Sequence, residues 1–500
     1  MKKKLIYMLL SAGVLCTSCE DWLSTGTITE IEGPDMMESA DGFKSALTGV
    51  YLTMGEAEVY GGNLTFEFQD RFAYPYTVKS WYTDFASLGY EATRIQTIIN
   101  NIWAKEYNII ANINYALRYL KEDNGVLDPV TYSIIKGELL GLRVFAHFDL
   151  LRLYGLGNWP SRADIAGKRT IPYVTELSKD IPRQYTYGEI FKAMEDDLNA
   201  AAECLKQDPI YKENKGRDYS EINTDGFLSN RTLRMNYYAV RALQARLYLW
   251  EGSSESLRKA EIAAQDVIDN AGCQWADLNT LTAPREENRD KTFTTEYVFG
   301  LYVYNLNDLT TDATSGNPDS NTSLLLESTY VEDGIFLTTV YDDEWNPSQG
   351  EDASDVRYAR LLLPSSGYYY PIKLKQVSTD RLYDYYQRIP LIRLPEMYYI
   401  KAECLAKAGD NPGALDQLDI VRQHRGLSSE LDDSKDAMEE LTKEYMKEFI
   451  SEGQFFFYCK RRGIENISDS NGTNFVTLSD QTYLVPYPKA ETDNNRIQDR

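Results

Sequence analysis

Apolar residues recur at steps of three and four over long stretches of this chain, and the stretches come in pairs. Ile99, Trp103, Tyr107, Ile110, Ile113, Leu117 and Leu120 keep that spacing, and so do Ile135, Leu139, Leu142, Ala146, Leu150 and Leu153. Such steps return side chains to one face of a helix, so each run predicts an amphipathic helix. Between the two runs, Glu122-Asp123-Asn124-Gly125 signals a turn and Asp128-Pro129 a helix start. So short a connection makes the helices antiparallel neighbours. A second pair has Leu233, Tyr237, Val240, Leu243 and Leu247, a break at Gly252-Ser253-Ser254, then Leu257, Ala260, Ala264 and Val267. A third has Leu394, Tyr398, Ala402 and Leu405, a break at Gly409-Asp410-Asn411-Pro412, then Ala414, Leu418 and Val421. The fold class expected is mostly α.

The second and third pairs share the detail Tyr238-x-x-x-Ala242 and Tyr398-x-x-x-Ala402. Small residues at a helix crossing, an aromatic one turn earlier and a glycine at the bend resemble tetratricopeptide-type units of roughly 34 residues; generic helix hairpins are the alternative. The pairs are not contiguous, so a simple solenoid is not expected. Asp41 can cap a further helix through Tyr51, and residues 55–90 read as irregular. Residues 272–390 intervene with little helical pattern, and Tyr297–Tyr304 and Ile335–Tyr341 could be strands within them. A long irregular insertion on a helical scaffold is where function is expected. The expected organisation is a leader over 1–18, a tether over 19–40, an N-terminal part over 41–230 and a C-terminal part over 231–500, the last two packed as one body.

Lys2, Lys3 and Lys4, the apolar run Leu5–Val14 and the small residues before Cys19 read as a secretory signal, too short to span a bilayer. Cys19, after Thr17-Ser18, is the expected lipidation site, Cys16 being preceded by the bulky Leu15; plain secretion is the alternative. The net charge of −24 argues against nucleic acid as a partner. Beyond the leader lie Cys204, Cys273, Cys404 and Cys459, with no C-x-x-C pair. Cys204 and Cys404 fit core positions, and a disulfide among the four is possible outside the cytoplasm. No cofactor signature and no metal-binding spacing stands out. Glu221-x-Asn223-x-Asp225-Gly226 faintly resembles a calcium loop, but Thr232 occupies the twelfth position, where Glu is needed. Of the two histidines, His147 sits between phenylalanines in a helix and is expected to be a packed imidazole, not a base. Two carboxylates suffice for a glycosidase, so composition does not exclude one.

Tyr (38) outnumbers Phe (17) by more than two to one, which points to half-wet positions where a ring face and a hydroxyl are both used. Sugar rings stack their C–H faces on Trp and Tyr while their hydroxyls need Asn, Asp or Arg nearby. Two clusters offer this chemistry: Asp70-Arg71-Phe72 with Trp81-Tyr82-Thr83-Asp84, and Trp345-Asn346 with Tyr368-Tyr369-Tyr370. The expected ligand contacts are Arg71, Trp81, Tyr82, Asp84, Trp345, Asn346 and Tyr369. Aromatic plugs that seal loops onto the scaffold are the competing reading of each. Trp103 and Trp250 fall on helical faces and are expected in the core.

Several stretches resemble the SusD/RagB family of bacterial surface lipoproteins. They are Ser18-Cys19-Glu20-Asp21-Trp22-Leu23, Lys136-Gly137-Glu138-Leu139 through Leu153-Tyr154-Gly155, Ile392-Arg393-Leu394-Pro395-Glu396 through Val421-Arg422-Gln423-His424-Arg425-Gly426-Leu427, Lys447-Glu448-Phe449-Ile450-Ser451-Glu452-Gly453, and the closing Val485-Pro486-Tyr487-Pro488. Much of this pattern reads as scaffold: Glu403, Glu448 and Glu452 could pair with Arg422 or Arg461 between helices. The resemblance implies a non-catalytic, lipid-anchored nutrient-binding protein of the outer membrane's outer face. It implies a glycan ligand and, as partner, a SusC-like TonB-dependent outer-membrane transporter. A peptide-capturing RagB-like role, a surface glycoside hydrolase and an adhesion component remain the alternatives.

Overall fold

Capping fixes where the helices begin. Ser39 accepts from the Gly42 N–H, Asp128 from those of Val130 and Thr131, Asn236 from Ala239, Ser253 from Ser256 and Asp410 from Gly413. Ser39 thus caps the first long helix, where Asp41 was expected. The computed structural model describes residues 33–74, 76, 89–122, 125–327, 340, 355–377, 385–468, 475–477 and 479–497. The helices that build the frame are α1 (Ala40–Met54), α2 (Phe68–Ala73), α3 (Thr93–Tyr119), α4 (Pro129–Tyr154), α5 (Tyr187–Cys204), α6 (Tyr237–Glu251), α7 (Ser254–Asn270), α8 (Val356–Leu361), α9 (Leu394–Lys407), α10 (Asn411–Gln423), α11 (Ala437–Glu448) and α12 (Gln454–Arg462). Short antiparallel pairings join β1 (Arg169–Pro172) to β2 (Gln184–Thr186), and β3 (Tyr297–Tyr302) to β7 (Arg388–Arg393). β4 (Leu326–Glu327), β6 (Tyr368–Pro371) and β5 (Leu362–Ser365) form a three-stranded sheet in that order. Of the two stretches expected as strands, Tyr297–Tyr304 yields β3, and Ile335–Tyr341 lies, but for Val340, outside the described residues.

The three helix pairs form as expected, and their packing is continuous in space although they are separated in sequence. α3 packs on α4, α4 on α5, α5 on α6, α6 on α7, α7 on α9 and α9 on α10. The link between the first and second pairs is α5, which the three-pair pattern did not anticipate. Its signal was present: Thr186 and Glu189 form a capping box, followed by Ile190, Met194, Leu198 and Ala201 on one buried face. Ala242 and Ala402, the small residues of the shared motif, are fully enclosed at helix crossings. Gly137 serves the same close approach, since a Cβ there would lie 2.5 Å from Leu205 Cγ. Trp103 and Trp250 are core residues, and one hydrophobic cluster runs from Met37 to Ile497. Among the described residues no helix is long and apolar enough to cross a membrane.

Charged groups hold the C-terminal half together from inside. Arg425 grips Glu296 at 2.9 and 2.8 Å and Glu448 at 3.0 and 2.8 Å. Arg393 reaches Glu448 at 2.6 Å and Glu452 at 2.6 Å, and Arg357 binds Asp355, Glu444 and Glu448. Lys373 adds a contact to Glu452, and Lys447 one to Glu444 at 2.7 Å. Five cationic groups thus meet five carboxylates in a region closed to water. Their attraction holds Glu448 and Glu444 well below the usual carboxylate range despite burial, which pulls the other way. The expected partners are revised here: Glu403 does pair with Arg461, at 2.5 and 2.8 Å, but Glu448 and Glu452 are held by Arg425, Arg393, Arg357 and Lys373. Removing one partner strands the others. Arg425→Met is therefore expected to cost about 3–5 kcal/mol, read from the urea unfolding midpoint, and a loss below about 1 kcal/mol would count against the cluster as a keystone.

His147 is a structural imidazole. Its Nδ1 lies 2.8 Å from the Arg143 carbonyl, and its Nε2 accepts the Val174 N–H at 2.9 Å, so it ties α4 to the chain after β1. Burial pushes it down to about 3 from an ordinary 6.5. The unfolded state therefore binds one more proton between those values, and stability rises with pH across that window by up to about 1.4 kcal/mol per unit. His147→Gln is expected to remove that increment of slope in unfolding curves taken from pH 4 to pH 7.

Candidate functional site

α2 brings the first aromatic cluster to the body. Phe68 and Phe72 point inward, Phe72 stacking on Tyr90 at 5.4 Å. Asp70 accepts the backbone N–H groups of Ser451 and Gly453 at 2.5 and 3.0 Å, which docks α2 onto the start of α12. Burial raises its carboxyl well above the ordinary range, against the pull of those two N–H groups. It is 1% exposed, so it is a fastening and not an acid open to a ligand.

Arg71 faces the other way. Its Nε donates to Glu67 at 3.0 Å and its Nη2 to the Thr322 carbonyl at 2.6 Å. The guanidinium is nearly enclosed, so its place is that of a brace, where the sequence suggested an open ligand contact. What it braces is the second cluster. Thr322 belongs to a loop whose Leu324 N–H returns to the Ala313 carbonyl at 2.9 Å and which leads directly into β4. β4 pairs Leu326 with Tyr369 of β6. Gly316 of the same loop, at φ +63°, lies under the Tyr370 ring, where a Cβ would meet Cε1 at 2.4 Å. Tyr369 is half-buried, opposite Pro364 of β5, with its hydroxyl 3.4 Å from that of Tyr358. The described parts of the two clusters, α2 and β6, are thereby linked through this loop and β4. Trp81, Tyr82, Asp84, Trp345, Asn346 and Cys19 lie outside the described residues. In sequence, segment 77–88 follows α2 and segment 328–339 follows β4.

Two depressions went unsuspected in the sequence. A groove of about 330 Å³ beside Glu67 is lined by Asn63, Phe66, Arg94, Asn101 and Leu309. A cleft of about 740 Å³ lies between α3 and the β1–β2 hairpin, lined by Trp103, Tyr107, Tyr173 and Tyr185. In the cleft, the hydroxyls of Tyr107 and Tyr173 are bonded to the Pro172 carbonyl and to Asp197, and Arg183 covers Tyr185 at 4.0 Å. The first depression is continuous with the braced joint through Glu67.

Reactive chemistry has little foothold in the described parts. The four cysteines are thiols, and burial pushes Cys273 and Cys404 up to about 12, far from the thiolate state. His424 stacks on Trp275 at 4.3 Å. In the calcium-like loop, the Lys44 ammonium sits 2.6 Å from Asp225, and Asn223 and Asp225 accept backbone N–H groups of the same turn. Among the described residues no group of three or more His, Cys, Asp or Glu is placed to hold a metal ion.

Comparison with known proteins agrees with this frame. The family model described as SusD family matches residues 338–498, and the model described as starch-binding associating with outer membrane matches residues 30–218. No curated protein matches by sequence. Among solved structures, a SusD superfamily protein from Bacteroides thetaiotaomicron is similar at TM-score 0.69 and 21% identity, covering 92% of this chain and 99% of that one. A SusD-like carbohydrate binding protein from Bacteroides vulgatus is similar at TM-score 0.67 and 15% identity, covering 92% and 97%. Surface glycan-binding protein A from Bacteroides thetaiotaomicron, in complex with laminarihexaose, is similar at TM-score 0.59 and 14% identity, covering 91% and 98%. The solved structures share the fold over nine tenths of this chain's length, and on the two family matches, one in each half, the chain belongs to the SusD family.

Proposed function

We propose that this protein is a cell-surface glycan-binding lipoprotein, acylated at Cys19, that captures oligosaccharide or polysaccharide and passes it to a SusC-like TonB-dependent transporter. The observation that carries the proposal is the 2.6 Å bond from Arg71 to the Thr322 carbonyl. It ties α2, which precedes Trp81, Tyr82 and Asp84 in sequence, to the loop that leads into β4, the strand paired with that of Tyr369. Rings and polar side chains in the sequence following these two elements suit a ligand with repeated C–H faces and hydroxyls. The family, and a similar fold that holds laminarihexaose, support the same reading. Binding is proposed without catalysis: the buried carboxylates of the C-terminal frame are tied to arginine and lysine, where they act as struts.

In native gels containing its polysaccharide the purified chain is expected to be retarded, and to release no reducing ends from it. Product whose formation is lost on changing a single Asp or Glu would instead establish a hydrolase. Trp81→Ala and Trp345→Ala are each expected to weaken binding by about 1–3 kcal/mol with unchanged unfolding midpoints, measured by titration calorimetry. Unchanged affinity in both would remove these rings from the site. Mass spectrometry of the mature N-terminal peptide is expected to find Cys19 acylated, and Cys19→Ser to leave the protein unanchored.

A further inference from the structure

The loop 283–292, the segment after β6 and Tyr385-Tyr386 enclose a small pocket whose lining runs against the character of the chain. In a protein of net charge −24, four of the side chains around it are cationic: Arg289, Lys291, Lys373 and Lys375. Lys373 is committed to Glu452 and to the Glu448 carbonyl. Lys291 and Lys375 share a single carboxylate, Glu286, at 2.9 and 3.2 Å. Arg289 donates its Nε to the Ala283 carbonyl at 2.7 Å, and Glu287, the other acid of the lining, lies 3.8 Å from Arg285. Among the described residues, three cationic groups thus stand against one carboxylate. Lys291 is 7% exposed, and burial draws its ammonium below the ordinary lysine range against the opposing pull of Glu286. The space is about 20 Å³, room for one small group and not for a whole sugar ring. Tyr385 and Tyr386 border it, with the Tyr385 hydroxyl bonded to the Glu287 carbonyl at 2.6 Å.

We propose that this pocket seats the carboxylate or sulfate of an acidic sugar, so that the glycan captured by this protein is anionic. The inference rests on the glycan-binding reading and narrows its substrate class. Arg289 offers a planar fork suited to two oxygens of an anion, Lys291 and Lys375 add charge, and a tyrosine ring can take the sugar's C–H face. Lys373 and Lys375 follow β6 by two and four residues, so the pocket adjoins the sheet that carries Tyr369. The acidity of the rest of the chain repels polyanions in general, which confines their binding to places with a local cationic surplus.

The test compares three oligosaccharides of equal length, one neutral, one rich in uronic acid and one sulfated, titrated into the full chain at 50 and 500 mM NaCl. An anionic oligosaccharide is expected to bind roughly tenfold tighter than the neutral one at low salt, with the advantage reduced at high salt. The arm that wins separates carboxylate from sulfate. Arg289→Gln combined with Lys375→Gln, both partly exposed, is expected to abolish the advantage while the unfolding midpoint stays unchanged. Neutral glycan binding with no anionic advantage, or an advantage indifferent to the double variant, overturns this inference and leaves glycan capture standing. Failure of all three to bind would bring down both.

Discussion

The carboxylate of Glu448 is the point on which the C-terminal half turns. It receives Arg393, Arg425 and Arg357 at once, at 2.6, 2.8 and 3.1 Å, in a place closed to water. A lone charge there would be prohibitively costly, and a single pair would roughly break even against a hydrophobic substitute. Five cations and five carboxylates arranged so that each has partners change the balance, because no member can leave without stranding others. The members come from the residue before β3, the end of β7, the start of α8 and the residue before it, the segment after β6, the turn after α10, and the end of α11 with the turn that follows it. Elements far apart in sequence are therefore fixed by one electrostatic knot, and the insertion is anchored to the helical array at both its ends.

That anchoring explains how a frame of helices can carry a long insertion. Glu296 and Arg393 bracket the insertion and are bound to the same knot. The chain between them adds Asp355, Arg357 and Lys373 to that knot, so it is fastened within its length as well as at its ends. The same logic appears on a smaller scale at the candidate site, where Asp70 fastens α2 to α12 inside and Arg71, the next residue, fastens it to the insertion outside. Adjacent residues on one short helix thus divide a single task, one holding the frame and the other setting where the loops start.

The helix pairs were legible because their period is local: a step of three or four shows in sequence whatever the partner, and Asp128-Pro129 marks its own cap. α5 is less legible although Thr186 and Glu189 announce it, because it is the odd helix between two pairs, with no partner run next to it in sequence. The charges were legible as struts but not by partner. Glu448 carries no trace of which arginine it will meet, since that depends on how β7 and the end of α10 converge. Arg71 read as a ligand contact for the same reason. Beside Phe72 and ahead of Trp81 it has the composition of a binding cluster, and nothing local reveals that a carbonyl 251 residues away will occupy it.

The distribution of charge separates frame from surface more sharply than hydrophobicity does. Inside, the struts of the knot are balanced against one another. Around Glu286, among the described residues, the balance tips: Lys291 and Lys375 compete for one carboxylate while Arg289 donates to a backbone oxygen. A protein that neutralises its buried charges so thoroughly in one place and leaves a cationic surplus in another treats the two sites differently, and a surplus that is partly desolvated is stabilised by an anion from outside. Balance where the fold must hold, and imbalance where something must arrive, is the arrangement expected of a rigid carrier whose ligand brings the missing charge.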